Sequence, residues 1–161
     1  MTVQQIVSRA RATIHRKGVR VIAVDYAQRV GSDAKEERLR VAQVSSGLTA
    51  LAKDTGVHVL LLSQLRKVGA EYQAKAPTLA DLRETSALGD DAHCVLLLHR
   101  GWDEESGGLE DDGEIIIPKQ RSGVTSAFPV EFEATTGVFR DARRKPSMMP
   151  KPTIRYKNSA Q

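Results

Sequence analysis

Residues 19–25 read V-R-V-I-A-V-D and are followed by Tyr26, Ala27 and Gln28. Apart from Arg20, this is a run of small and β-branched apolar side chains closed by a carboxylate, Asp25. The run is nearly continuous instead of alternating, as expected for a strand of a parallel sheet that is covered on both faces. A helical pattern precedes it. Thr2 with Gln5 three residues on has the form of a capping box, Ile6, Ala10 and Ile14 recur at helical spacing, and Gly18 is placed to end the helix.

The same alternation continues downstream. Asp33 and Glu36 stand where a second helix opens, Val41, Val44, Leu48 and Leu51 have core-facing spacing, and Gly56 stops it. Residues 57–62 form the next apolar strand, which runs out at Ser63 and Gln64. A polar stretch over 66–77 reads as a mobile loop. Thr78 and Asp81 repeat the capping-box spacing, which predicts a short helix to about Leu88. Residues 94–98 read as a third buried strand and the acidic, glycine-bearing 103–113 as a connection. Strands follow near 114–118 and 127–132, with a short one around Val138 and Phe139. The fold class implied is α/β: a mainly parallel sheet flanked by helices, with an antiparallel C-terminal edge. From Arg143 the composition shifts to Lys, Arg, Pro and Met without periodicity. The chain therefore divides into a domain over 1–141 and a basic, disordered tail over 142–161.

At 161 residues the chain suits one domain, and 40% hydrophobic with 27% charged residues is globular in character. Aromatics make up only 4%, which argues against a stacking platform for single-stranded bases. The net charge of +4 permits an anionic partner without demanding one. Cys94 is the one cysteine, so no intrachain disulfide exists and a reducing compartment is expected. The first residues lack the apolar segment of a secretory signal, and no apolar run is long enough to span a bilayer. A cytoplasmic protein with no membrane partner is the expectation.

Ligands of open α/β sheets bind beyond the carboxyl ends of the strands, where Asp25 and Gln64 both fall. A carboxylate there holds a Mg²⁺-bound water, and a neighbouring amide senses a γ-phosphate. Equally, Asp25 caps a turn and Gln64 is loop surface; the spacing alone leaves both readings open. Lys119 and Arg121, at alternate positions of an extended segment, project the same way. That suits a phosphate held between them, or an edge strand guarded by cations. Arg83, Glu84, Thr85 and Ser86 read either as a contact to a phosphate backbone or as a surface helix with an ordinary ion pair. His93 and Cys94 point to opposite faces of a strand, which argues against a shared metal and for Cys94 in the core.

Together these segments are more specific than any one of them. In order, they are Asp25-Tyr26-Ala27-Gln28, Leu51-Ala52-Lys53, the run from Leu62 through Gln64 to Arg66, and that from Pro77 through Asp81 to Glu84. Asp91-Ala92 and the run from Ile115 through Lys119 and Arg121 to Gly123 follow. The series resembles the closing half of the RecA-like motor domain of DnaB-type replicative DNA helicases. The resemblance implies a partial RecA-like fold and a hexameric ring that translocates on single-stranded DNA using ATP and Mg²⁺. On that pattern Asp25 matches the Walker B acid and Gln64 the glutamine that couples γ-phosphate to DNA. Lys119 and Arg121 match the basic pair offered to a neighbouring subunit's nucleotide, and Arg83, Glu84 and Ser86 match a DNA-backbone loop.

Two substitutions depart from the pattern. Arg83-Glu84-Thr85-Ser86 replaces the usual Arg-Glu-Ser-Gly, losing a glycine where backbone meets phosphate. Pro118 removes a backbone donor before the basic pair and favours an edge position. No G-x-x-x-x-G-K-[ST] occurs, no glycine is followed by lysine, and the family's catalytic glutamate has no counterpart. The chain thus reads as part of an ATP-dependent replicative helicase that needs other subunits or a P-loop-bearing half, and as inactive toward ATP by itself. The alternative is a non-enzymatic protein derived from a helicase. It would dock on an intact ring, or bind single-stranded DNA through Arg143, Arg144, Lys145, Lys151, Arg155 and Lys157. A RecA- or RadA-like recombinase core is a related alternative, disfavoured by the runs from Asp81 to Glu84 and from Lys119 to Gly123.

Overall fold

Helix α1 spans Val3–Lys17 and opens with the reciprocal capping box: the Thr2 hydroxyl accepts from the Gln5 amide while the Gln5 side chain accepts from Thr2 N–H. It ends at Gly18, and α2, Glu37–Thr55, ends at Gly56. Both glycines are left-handed, at φ 63° and 69°, a conformation that penalises any Cβ. This computed structural model describes residues 1–65, 75–82, 86–103 and 105–142. The tail over 143–161 and the loop over 66–74 lie outside the described residues, as do Arg83 and Glu84.

Strands β1 (Val21–Val24) and β2 (His58–Leu61) pair in parallel, Val21 with His58 through Val24 with Leu61. The two helices lie together on one face of this pair. Val3, Ala10, Val24, Val30, Val44, Leu48 and Leu51 form the core, with Ile6, Ile14, Ile22, Val59 and Leu61 packed against it. Of the core-facing residues expected on the two helices, Ala10, Val44, Leu48 and Leu51 are buried there, Ile6 and Ile14 are partly buried against them, and Val41 is buried in a second cluster. A single 3₁₀ turn, Ala27–Arg29, leads away from β1.

The region after β2 differs from the sequence expectation. The Thr78–Asp81 capping box forms, but it closes only a 3₁₀ turn, Leu79–Asp81. The backbone extends at Leu82, which bridges to Leu65, and a separate short helix, α3, covers Ala87–Asp91. Leu88 of α3 packs with Ala27 and Val41, tying α3 to α2 and to the turn after β1.

Four antiparallel strands follow in the order β3 (Cys94–Asp103), β4 (Gly108–Gln120), β5 (Ser126–Glu133) and β6 (Val138–Asp141). Residues 103–113 are thus largely a strand and not a connection: the two long strands continue past the expected ends and turn between Asp103 and Gly108. The charged side chains there stand on an exposed ribbon, where alternation, not apolarity, marks a strand. Among the described residues one strand pair is parallel and three are antiparallel, so the antiparallel part is larger than the pattern suggests. Pro118 lies on β4 beyond its last pairing with β5, opposite the bulge between Val95 and Leu97 of β3. That is how an interior strand tolerates a missing donor.

The β1–β2 pair and β3, which belong to separate sheets, each expose alternate apolar residues. Val21, Ala23, His58, Leu60 and Leu62 are exposed, while the residues between them are more buried. On β3, Val95 and Leu97 are buried but Cys94, Leu96 and Leu98 are exposed. Cys94 is therefore not the core residue that its pattern suggests. Leu60 and Leu98 keep 53% and 57% of their surface in water. The apolar run at 19–24 calls for two covered faces, and this chain's described residues cover one.

Candidate functional site

The carboxyl ends of β1 and β2 are locked together by backbone bonds. Leu62 N–H donates to Val24 O at 3.0 Å and Ala27 N–H donates to Leu62 O at 2.9 Å, setting Asp25 opposite Leu62. Gln28 completes the brace. Its Nε2 donates to Ser63 Oγ (3.0 Å) and to Gln64 O (3.3 Å), and its Oε1 accepts from Gln64 N–H (3.3 Å). Asp25 and Gln64 thus emerge at the same end of adjacent strands, and both side chains are exposed. Gln28 carries no assigned role in the sequence; its amide three residues after the acid is the signal, legible only once the strands are known to pair.

Among the described residues Asp25 makes no hydrogen bond or ion pair, so its carboxylate is free to take a ligand. No group of three acidic, His or Cys side chains converges on a metal position there or elsewhere among the described residues. A cation at Asp25 would therefore have one protein carboxylate, with water or phosphate oxygens as its other ligands. That donor set suits Mg²⁺, which dehydrates reluctantly and is commonly held by one or two carboxylates plus phosphates.

The basic pair is elsewhere, at the end of β4. Lys119 Nζ donates to Gly89 O (2.5 Å) and Asp90 O (2.9 Å), and Arg121 Nη2 donates to Asp90 O (2.9 Å). Their common direction, expected from alternation, holds. Both cations rest on the C-terminal carbonyls of α3, where the helix dipole favours positive charge. Ser86 is the residue preceding α3 and is exposed, and its side chain makes no capping bond.

An open cavity of about 590 Å³ lies at the C-terminal ends of the two helices, lined by Arg11, Ala12, Ile14, His15, Arg16 and Thr55. None of its lining residues belongs to the strand ends or to the basic pair.

The mixed α/β arrangement, with parallel strands that present an acid and an amide at their carboxyl ends, is structurally similar to RecA-like ATPase domains. A solved ATPase domain superposes with a TM-score of 0.78 at 28% identity, covering 89% of this chain and 52% of that one. A DnaB-like replicative helicase, solved in a study of its interactions with primase, gives 0.76 at 31% identity, covering 86% and 35%. The model of the DnaB-like helicase C terminal domain matches residues 1–141, and the chain belongs to that family. The replicative DNA helicase DnaB of Buchnera aphidicola subsp. Acyrthosiphon pisum is 40% identical over 139 residues, covering 82% of this chain. The chain spans about a third of the length of the curated relatives it matches, 32% and 30% of two of them.

Proposed function

We propose that this chain supplies the Walker B and sensor portion of an ATP-driven replicative DNA helicase and works with a segment that carries the P-loop. Family membership and the pairing of the Asp25 and Gln64 strand ends support the reading, and the second of these carries it. Asp25 holds the hydrated Mg²⁺ of the nucleotide, and Gln64 hydrogen-bonds toward the γ-phosphate. Mg²⁺ supplies charge neutralisation of the phosphate oxygens. Lys119 and Arg121 serve the nucleotide of a neighbouring subunit in a ring, a role worth about 10³ to 10⁵ in rate for related arginine fingers. Arg83, Glu84 and Ser86 follow the backbone of single-stranded DNA. The exposed apolar residues of the β1–β2 pair and of β3 support the need for a further segment, since relatives have chain beyond the part matched here.

Without a phosphate cradle the isolated chain lacks the groups that position the reaction. The test is Mg²⁺-dependent ATP hydrolysis by this chain alone, and then together with the P-loop segment of a DnaB-type relative. The expected result is no turnover alone and turnover stimulated by single-stranded DNA on mixing, abolished by Asp25→Asn. Turnover by the pure chain, or an Asp25→Asn mixture as active as the parent, would refute the assignment.

A further inference from the structure

Ser45, on α2, is the buried polar side chain of the core among the described residues, 4% exposed. Its hydroxyl donates to Asp91 Oδ2 at 2.6 Å and lies 3.4 Å from Ala87 O. A contact that short to a carboxylate is a charge-assisted hydrogen bond. Three residues before Asp91, Leu88 enters the apolar cluster with Ala27 and Val41. Residues three apart share a helix face, so α3 is pinned to α2 by one apolar and one polar anchor side by side.

The C-terminal part of α3 also holds the basic pair. Its last carbonyls, those of Gly89 and Asp90, accept three hydrogen bonds from Lys119 and Arg121, and Arg121 N–H donates to His93 O at 2.9 Å. The heads of the two cations have no other described partner. Where α3 sits therefore decides where they sit. Ser86, the residue that opens α3, adjoins the proposed DNA segment, and Ala27, against which Leu88 packs, lies two residues from Asp25.

We infer that Ser45 and Asp91 are positioning residues: their hydrogen bond fixes α3, and α3 fixes the placement of Lys119 and Arg121. What the pair then does rests on the function proposed above; the mechanical link does not. A buried serine in a helix is otherwise replaceable by alanine, whereas here its loss frees a carboxylate and the helix end attached to it.

The test reads Lys119 directly. The full chain is labelled with an amine-acylating reagent and each lysine quantified by mass spectrometry, with the exposed Lys17 and Lys53 as internal standards. In the parent chain Lys119 is labelled more slowly than either standard. Ser45→Ala raises Lys119 labelling by up to about tenfold, the factor a buried charge-assisted hydrogen bond supplies, while Lys17 and Lys53 stay unchanged. Asp91→Ala does the same and covers the case in which Ser45→Ala fails to fold; Asp91→Asn, which keeps an acceptor oxygen, restores protection. Lys119 labelling equal in the parent and both alanine variants overturns the inference. In a second arm each chain is added to an intact DnaB-type helicase. Ser45→Ala lowers the chain's effect on kcat without changing KM for ATP. If removing both cations, Lys119→Ala with Arg121→Ala, leaves hydrolysis unaffected while Ser45→Ala in the otherwise parental chain still raises Lys119 labelling, the nucleotide role of the pair fails and the positioning link stands.

Discussion

Truncating two leucines one at a time separates the covered from the uncovered face of this domain. Leu51 of α2 is 0% exposed and lies in the core, whereas Leu60 of β2, paired with Ala23, is 53% exposed. Leu51→Ala removes fully buried methyl groups and leaves a cavity, a change that costs about 2–5 kcal/mol. Burying a whole leucine is worth roughly 1.5–3 kcal/mol. Leu60 realises about half of that in this chain, so Leu60→Ala costs about 1 kcal/mol. In thermal melts, with roughly 2–4 °C lost per kcal/mol for a domain of this size, Leu60→Ala lowers Tm by only a few degrees. Leu51→Ala lowers it about two to five times as far. The order reverses for association with the P-loop segment. Covering the exposed half of Leu60 and of Leu98 recovers about 1 kcal/mol each, so the double alanine variant binds that segment about 30-fold more weakly. Circular-dichroism melts and a titration calorimeter make both measurements. A Leu60→Ala chain as destabilised as Leu51→Ala, or a double variant that binds the segment with parental affinity, would show that nothing docks on this face.

Three further outcomes follow from local geometry. Gln28→Ala removes the brace between the strand ends and costs about 1 kcal/mol of stability; it also lowers hydrolysis in the P-loop mixture, whereas Gln5→Ala at the far cap leaves hydrolysis unchanged. A Cβ on Gly113 would stand 2.7 Å from His99 O and 3.0 Å from Arg100 Cγ, so Gly113→Ala forces the β3–β4 ribbon apart. It costs about 1–3 kcal/mol in urea unfolding and displaces Arg100 from the Phe132 ring, 4.2 Å away. The Arg140 guanidinium, and after it the Thr136 hydroxyl, hold the Glu133 carboxyl below its ordinary value. A depressed carboxylate contributes stability above its unfolded pKa and loses it as pH falls through the folded one. Because Glu133 is solvent-exposed the effect is small. Melts at neutral and acid pH should show Glu133→Gln narrowing the gap between parent and variant as the solution is acidified.

The elements with local signatures are legible in the sequence. Thr2 and Gln5, Gly18 and Gly56, and the spacing from Val41 to Leu51 each encode their structure within a few residues, and each forms as read. The departures share a different cause. Thr78 and Asp81 make their capping box, yet the helix is cut at Leu82 because that residue pairs with Leu65, a contact that no local pattern reports. Residues 108–113 are charged because they stand on a solvated ribbon, and that charge imitates a connection. Cys94 and Leu98 look like core residues by their apolarity, yet the described residues leave both exposed. For the site, Asp25 and Gln64 are legible as strand ends, but the resting place of Lys119 and Arg121 is not, since their partners are backbone carbonyls that carry no residue identity.

That asymmetry bears on how such a motor can be divided. The Asp25 and Gln64 ends are held by Leu62 N–H to Val24 O, by Ala27 N–H to Leu62 O and by the three Gln28 contacts, all made within this chain. None of these bonds needs the phosphate cradle. The entropy of ordering an acid and an amide side by side is therefore met during folding of this part, before any nucleotide arrives. A P-loop contributes backbone N–H groups from its own strand-to-helix turn, which likewise order locally. On the function proposed above, two such preorganised walls need only an apolar surface to bring them into register, and the exposed Val21, Leu60 and Leu62 of the β1–β2 pair, with Leu96 and Leu98 of β3, are the residues proposed for it on this side. Binding energy drawn from those leucines, remote from the phosphates, then appears as catalysis and not as tighter nucleotide binding. Weakening the apolar contact should for that reason lower turnover in proportion to assembly, with KM for ATP unchanged in whatever fraction remains assembled.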